Sequence, residues 1–208
     1  ANGEEALTGF VERTGVPVFT GGSGRGSIPD THPLCFASSL AIRPGAAFFA
    51  LASADLVLFL GSRLSLFYLF GDIFRKDARF VQVDVEAEEI GRNRSVDLGV
   101  VGDVRGLLEE MNARIDAAGT GAALRSRFQE WVEAVRNADR DGKAPTRPLW
   151  ESGCVPIHPL RLAREVDLFL DRDDDVVVAD GGDTQVWMGM TRTVRRGGHY
   201  LDSGLYGC

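Results

Sequence analysis

Five consecutive apolar residues, Leu56–Leu60, lie between a predicted helix and Gly61. A continuous apolar run of this kind is typical of a parallel strand that is covered on both faces of its sheet. Parallel strands are joined by crossover connections, and these are usually helices. The run therefore predicts a buried parallel sheet with helices packed against it.

Helices and strands alternate around this run. Apolar side chains recur at helical spacing in four segments, which we predict to be helices: residues 4–14, 44–53, 104–115 and 124–135. Short apolar runs predict further strands at residues 17–20, 80–85 and 100–103. Gly15 ends the first helix, and Asp103 is placed to cap the third. This alternation predicts an α/β fold with a doubly wound parallel sheet.

Two details of this order carry further expectations. The strand at residues 80–85 is apolar at alternate positions, which indicates a place nearer an edge of the sheet. The order begins with a helix, whereas a sheet of this type normally begins with a strand. The first strand of the sheet is therefore expected to be missing from this chain.

Residues 137–156 differ in character from the segments on either side. They contain three prolines and lack apolar periodicity, which predicts a linker. The predicted domains are then residues 1–136 and residues 157–208. The second domain begins with a helix at His158-Pro159 and continues into a buried strand at residues 176–180, so it is expected to be a second, truncated α/β domain.

The charge and cysteine content exclude several classes of function. The 23 Lys and Arg residues against 30 Asp and Glu give a formal net charge of −7, so we expect no nucleic-acid partner. No apolar stretch approaches the roughly 20 residues that span a bilayer, and the N-terminus lacks a signal-peptide pattern, so we expect a soluble protein without membrane contact. The three cysteines form no CxxC motif, which predicts neither disulfides nor a metal site and favours the cytoplasm.

Glycines cluster in Gly22-Ser-Gly24-Arg-Gly26. Small residues in succession leave backbone N–H groups free to face an anion, so the segment resembles a phosphate loop. It is not a full dinucleotide fingerprint, and no P-loop lysine follows it. Gly24 is therefore a candidate nucleotide-binding residue, and the alternative is a turn that connects two elements and contacts no ligand.

Three more candidates follow predicted strands. Gly61 and Arg63 come directly after a central strand, where ligands bind in open α/β sheets, and Arg63 could hold a phosphate in two hydrogen bonds. Asp84 ends the next strand and could accept ribose hydroxyl groups. The alternatives are a surface arginine at a strand end and an aspartate that caps the following helix.

The sharpest signal is a buried strand that runs into a Gly-Gly turn and then into a helix. The turn and the start of the helix comprise Gly181, Gly182, Asp183 and Thr184. The free amides of the first helical turn point at whatever lies above the strand, so this segment predicts an anion site. Thr184 can add a hydroxyl donor, whereas Asp183 would repel a diphosphate unless it turns outward or a metal intervenes.

Blocks of residues along the chain match two domains of one enzyme family in order and spacing. The first domain is matched by Gly15-Val-Pro-Val, Gly24-Arg-Gly26-Ser-Ile-Pro-Asp30, Asp55-Leu-Val-Leu, Leu60-Gly61-Ser-Arg63, Val81-Gln-Val-Asp84 and Val101-Gly102-Asp103. The second is matched by Asp180-x-Gly182-x-x-Gln185-x-Trp187 and Asp202-Ser-Gly204-Leu-Tyr-Gly207. The sequence thereby resembles thiamine diphosphate (ThDP) enzymes of the acetolactate synthase, benzoylformate decarboxylase and oxalyl-CoA decarboxylase type. The resemblance implies a Rossmann-like central domain followed by the start of the pyrophosphate-binding domain.

The resemblance also implies which residues face the cofactor. Gly181, Gly182, Asp183 and Thr184 would face the ThDP diphosphate, and Gly204 and Gly207 would pass close to its pyrimidine and linker. The family's Mg²⁺ motif, and the domain whose glutamate activates ThDP, are expected outside this chain. We therefore expect no catalytic residue and no metal ligand here, and no activity from the chain alone.

For the intact enzyme, the resemblance implies decarboxylation, carboligation or carbon–carbon lysis of a 2-oxo acid or an acyl-CoA, with ThDP as electron sink and Mg²⁺ as its metal. Such a lyase or transferase would be a homo-oligomer, at least a dimer, because its active site lies between subunits. The central domain would carry FAD, ADP, a CoA nucleotide or nothing, and the residues after Gly61 look closest to the acyl-CoA lyase and oxalyl-CoA decarboxylase branch. The alternative is a non-catalytic nucleotide-binding or regulatory domain of the same fold.

Overall fold

The computed structural model describes residues 2–38, 45–180 and 182–202. Within these residues the helices are α1 (Glu4–Thr14), α2 (Ala47–Ser53), α3 (Val104–Ala118), α4 (Gly121–Lys143), α5 (Pro159–Phe169) and α6 (Asp183–Thr191). The strands are β1 (Val18–Thr20), β2 (Cys35–Ser38), β3 (Leu56–Leu60), β4 (Arg79–Asp84), β5 (Leu98–Val101), β6 (Val177–Ala179) and β7 (Tyr200–Asp202). The chain forms two compact units. The first holds residues up to Val16 and Phe48–Val135, and the second holds Pro17–Ala47 and residues from Arg136 onward.

The first unit is built on the parallel sheet β3-β4-β5. In the register of this sheet, Leu56 pairs with Arg79 and Val81 pairs with Leu98, so the carboxyl ends of the three strands share one edge. The connection from β3 to β4 contains a 3-10 helix, Leu66–Gly71, and α3 follows β5 after two residues. The parallel α/β architecture predicted from the apolar run is therefore confirmed.

Side chains of β3 pack on both faces of this sheet. Leu58 and Leu60 lie against the buried cluster formed by Ala6, Phe10 and Leu108 of α1 and α3. On the opposite face, Phe59 joins a second cluster that contains the aromatic side chains of Tyr68, Phe74 and Phe80. Because successive side chains of a strand point to opposite faces, a strand covered on both faces favours apolar residues at successive positions. The predicted covering is present from Val57 to Leu60, whereas Leu56 at the start of the strand is 47% exposed.

The predicted edge position of residues 80–85 was wrong. β4 is the middle strand of the three, between β3 and β5. The polar side chain of Gln82, which produced the apparent alternation, is buried at 1% exposure. Its amide nitrogen donates to the carbonyl oxygen of Glu89 at 2.9 Å, and its amide oxygen accepts from the N–H of Gly91 at 3.0 Å. A polar residue is stable in a central strand when both of its ends are paired in this way.

The second unit contains two parallel pairs of strands, β1-β2 and β6-β7. Its core is formed by α5, β6, α6 and β7, with these buried side chains: Ala163, Val177, Ala179, Met188, Val194 and Tyr200. The predicted helix after His158 is confirmed, and the His158 Nδ1 accepts from the N–H of Leu160 at 3.2 Å as its N-cap. The other face of the β6-β7 pair is apolar and exposed, with Val178 at 75% and Leu201 at 43% exposure.

Helix boundaries agree with the sequence at several capping residues. Gly15 follows α1 in the left-handed conformation, at φ 76°. The Asp103 carboxylate accepts from the N–H of Gly106 at 3.0 Å and caps α3. The predicted start of the second helix, Pro44, lies outside the described residues, and α2 begins at Ala47 among those that are described.

The segment from residue 137 to 156 is more regular than the sequence indicated. α4 continues through Lys143, and a 3-10 helix spans Ala144–Glu151. Strands β2 and β7 were not predicted at all. The domain limits at residues 136 and 157 stay a prediction, since the second compact unit also takes in Pro17–Ala47. No helix among the described residues has both the length and the apolar character required to cross a membrane.

Candidate functional site

The predicted anion site lies at the start of α6. β6 ends at Ala179, and Gly182 is the N-cap residue of α6, with φ 89° and ψ −160°. Only glycine readily adopts this backbone conformation. Among the described residues, no side chain makes a cap hydrogen bond at the start of α6, so its first-turn amides have no side-chain acceptor there. A strand, a glycine turn and an uncapped helix therefore occur in the order that the sequence predicted.

The side chains at this turn are open to solvent. Gly182, Asp183 and Thr184 are all exposed. Exposed amides at a helix N-terminus attract an anion because they carry the positive end of the helix dipole. The exposed Asp183 carboxylate opposes this attraction only if it faces the ligand, and its exposure leaves it room to turn outward. The arrangement fits a diphosphate group.

The other residues expected near the cofactor lie outside the described residues. They are Gly181, Gly204 and Gly207. Their roles stay predictions.

In the first unit, the candidate nucleotide-binding residues follow β3 and β4. Gly61 has a left-handed backbone, at φ 55°, and its N–H donates to the carbonyl oxygen of Val83 at 2.8 Å. Arg63 extends into solvent, with 70% of its side chain exposed. Its nearest acidic partner is Glu89, at 3.6 Å, beyond the distance of a good hydrogen bond. Arg63 is therefore open to an anionic ligand at the carboxyl edge of the sheet.

Asp84 is placed differently from Arg63. It is buried at 8% exposure, and its Oδ1 accepts from the N–H of Glu86 at 3.0 Å. This bond closes the turn after β4, as an aspartate at a turn commonly does. The structural role that the sequence left open for Asp84 is therefore present, and one of its oxygens already has a protein partner.

The glycine-rich segment near the start of the chain lies in the second unit. Gly24 ends a short 3-10 helix, and a Cβ atom there would meet no neighbour within 4 Å. The basic residue beside it, Arg25, is buried at 1% exposure and forms an ion pair with Asp30 at 2.6 Å. The Arg25 side chain faces the protein, so it is not available to a ligand, and anion binding by this loop would depend on its backbone amides alone. Sequence reasoning missed this pair, although an arginine and an aspartate five residues apart in one loop were a usable signal.

The described cysteine and acidic side chains do not form a further reactive site. Burial raises the pKa of the Cys35 thiol to about 11, so the thiol is neutral near pH 7. Across residues 2–38, 45–180 and 182–202, no three His, Cys, Asp or Glu side chains come together as metal ligands.

Parallel sheets with packed helices define the chain as an α/β protein of the Rossmann-like kind. Residues 1–111 match the family described as "Thiamine pyrophosphate enzyme, central domain". The chain belongs to this family, as the sequence blocks indicated.

Curated relatives cover nearly all of the chain. A 2-hydroxyacyl-CoA lyase of Oryza sativa is 31% identical over 186 residues, which are 87% of this chain and 30% of the relative. A probable acetolactate synthase large subunit of Methanococcus aeolicus is 27% identical over 213 residues, which are 98% of this chain and 35% of the relative. Human 2-hydroxyacyl-CoA lyase 1 is 27% identical over 212 residues, which are 100% of this chain and 34% of the relative. The chain thus spans about a third of the length of these relatives.

Proposed function

We propose that the chain is part of a ThDP-dependent enzyme that acts on a 2-oxo acid or an acyl-CoA, and that it contributes to binding the cofactor's diphosphate. The main observation behind this proposal is the backbone conformation of Gly182, which residues other than glycine avoid, directly before α6, which has no side-chain cap among the described residues. Family membership and the lyase and synthase relatives support the same assignment. ThDP, when bound, supplies the ylide and the electron sink for cleaving a carbon–carbon bond.

This chain's own residues would bind and orient the cofactor. The first-turn amides of α6 would donate to the diphosphate, and the Thr184 hydroxyl would add a donor. Mg²⁺ is proposed to be held mainly by residues outside this chain. The intact enzyme is proposed to be a cytoplasmic homo-oligomer, at least a dimer.

The test is a titration of the 208-residue chain with inorganic pyrophosphate, followed by amide chemical shifts. We expect shifts centred on Gly182 and Thr184. The variant Thr184→Val removes the hydroxyl and keeps the shape, so it should weaken binding several-fold. Thr193→Val is the matched control, because Thr193 is also exposed and lies beyond the end of α6. Shifts spread over the surface, or equal affinities of the two variants, would contradict the proposal.

The activity of the chain alone gives a second test. Because the groups that activate ThDP are proposed to lie outside the chain, ThDP and Mg²⁺ should produce no decarboxylation of pyruvate. Carbon dioxide release above the rate without protein would overturn the proposed division of the active site.

Light scattering tests whether the exposed apolar face of β6 and β7 causes the chain to associate. It should report oligomers because a large apolar patch favours association, and a monodisperse monomer would contradict this expectation.

We also propose that the first unit binds a nucleotide, FAD, ADP or a CoA nucleotide, at the carboxyl edge of its sheet. The exposure of Arg63, two residues after Gly61 at the carboxyl end of β3, supports this proposal. Arg63→Gln should weaken binding of ADP or FAD about tenfold, as expected for loss of a charged hydrogen bond. Arg79→Gln is the control, because Arg79 is exposed at the opposite end of β4. Equal affinities in the two variants would refute the assignment.

A further inference from the structure

Arg25 lies inside the second unit and contacts the C-terminal end of α6. Its Nη1 donates to the carbonyl oxygen of Gly189 at 3.1 Å. Its Nη2 donates to the Asp30 carboxylate at 2.6 Å and to the carbonyl oxygen of Arg192 at 2.9 Å. A buried guanidinium is expensive to desolvate, and replacing such a pair by apolar residues often increases stability. The arrangement is therefore better explained by the geometry it imposes than by stability.

Asp30 extends this contact to the residues that follow α6. Its Oδ2 accepts from the N–H of Val194 at 2.8 Å, and its own N–H donates to the carbonyl oxygen of Val194 at 2.8 Å. The neighbouring Gly26 has φ +84°, and a Cβ atom at this position would overlap the backbone of Arg196. The loop from Arg25 to Asp30 therefore lies directly against the segment from Gly189 to Arg196, and glycine permits the close approach.

Tyr200 connects the same arginine to the other end of α6. The Arg25 guanidinium carbon lies 4.7 Å from the centre of the Tyr200 ring, within cation–π range. The Tyr200 side chain is fully buried, and its hydroxyl donates to the carbonyl oxygen of Gln185 at 3.1 Å. Gln185 is in the first turn of α6. One buried pair of side chains thus holds the helix near both of its ends.

We propose that Arg25 and Tyr200 are positioning residues, which hold α6 so that its first turn presents its amides to a diphosphate. This inference rests on the proposed function of that turn. Preformed donors bind an anion more tightly than donors that must first be ordered, because the ordering entropy is not lost on binding. The glycine-rich loop would then contribute to diphosphate binding indirectly, by orienting the helix whose amides bind it.

The test compares two conservative variants of the full chain, Tyr200→Phe and Tyr68→Phe. Both tyrosines are buried, and Tyr68 lies in the first unit. Tyr200→Phe removes the hydroxyl that holds Gln185 and keeps the ring under Arg25. Amide hydrogen exchange without ligand should accelerate about fivefold at residues 187–189, whose helical N–H groups donate to the carbonyl oxygens of the first turn of α6, because one hydrogen bond that holds this turn is lost. Pyrophosphate should bind several-fold more weakly, whereas Tyr68→Phe should change neither quantity.

The outcomes separate the two proposals. A wild-type chain that does not bind pyrophosphate overturns the proposed function, and the exchange measurement still decides whether Tyr200 orders α6. Unchanged exchange in Tyr200→Phe overturns the positioning role. Acceleration spread equally over α5 and α6 also overturns it, because that pattern reports general destabilisation.

The Arg25 variants test the same role by the same exchange measurement. Arg25→Lys should restore only part of the protection of α6 that is lost in Arg25→Met, because an ammonium cannot reproduce the planar set of contacts to two carbonyl groups and Asp30.

Discussion

Replacing Gly182 by alanine should destabilise the second unit through the backbone alone. A Cβ atom at Gly182 would meet no neighbour within 4 Å, so the substitution adds no steric overlap with other residues. The backbone at φ 89° and ψ −160° is nevertheless in a region that other residues avoid. Holding alanine there costs about 1–3 kcal/mol, a factor of about 5–150 in an equilibrium constant.

The control is Gly153→Ala. Gly153 is also exposed and has open space around it, but its φ does not lie in the left-handed region. Both substitutions restrict the unfolded chain similarly, an effect of about 0.4–1 kcal/mol that favours the folded state. The difference between the variants therefore isolates the strain at Gly182.

The measurement is urea unfolding followed by tryptophan fluorescence, since Trp150 and Trp187 both lie in the second unit. Gly182→Ala should be less stable than Gly153→Ala by about 1–3 kcal/mol at an unchanged urea dependence. The same variant should bind pyrophosphate more weakly, because relief of the strain would rotate the first-turn amides of α6. Equal stability of the two variants would refute the reasoning that this turn requires glycine.

Three other perturbations test separate parts of the fold. Cys35 should react with a thiol reagent at pH 8 at least about a hundredfold more slowly than the exposed Cys154, because a pKa of about 11 leaves little of the Cys35 thiol ionised. Peptide mass spectrometry measures the two rates, and comparable rates would contradict the burial of Cys35. The hydrogen bond from Arg13 lowers the pKa of the Asp116 carboxyl, so its stabilisation is present above the ordinary value of about 4 and disappears as the pH falls through the lowered one. Asp116→Asn should therefore be less stable than wild type at pH 6, and the difference should shrink as the pH falls through the lowered pKa of Asp116. A difference in urea unfolding that stays constant as the pH is lowered would refute this. Phe80→Ala should cost about 3–5 kcal/mol in urea unfolding, because Phe80 is fully buried among aromatic rings, and a loss under about 1 kcal/mol would contradict this packing.

The sequence was sufficient where local pattern and tertiary environment agree. The run Leu56–Leu60 predicted a strand covered on both faces, and the clusters on either side of β3 bear this out. Asp103 and His158 were identified as helix starts because capping depends on residues close in sequence. The strand-turn-helix around Gly182 was predictable for the same reason.

The sequence-based predictions were wrong where a contact formed only in the folded chain determines the structure. Gln82 gave β4 the alternation of an edge strand, and only the bonds to Glu89 and Gly91 explain how it is buried. β2 begins at Cys35, in a segment for which no strand was predicted, and it is stabilised by pairing with β1. Short strands gain most of their stability from such pairing, which a local pattern does not contain.

The two glycine clusters of the second unit show how the same local signal leads to different roles. At Gly182 the glycine precedes a helix that no side chain caps, so the amides stay available to an anion. At Gly24 and Gly26 the intervening Arg25 is turned into the protein and paired with Asp30, so the cluster brings two backbone segments together. The two clusters therefore differ in what their glycines face, which is open space at Gly182 and the backbone of Arg196 at Gly26. If Arg25 and Tyr200 do orient α6, the cluster at Gly24 and Gly26 supports the anion site without touching its ligand.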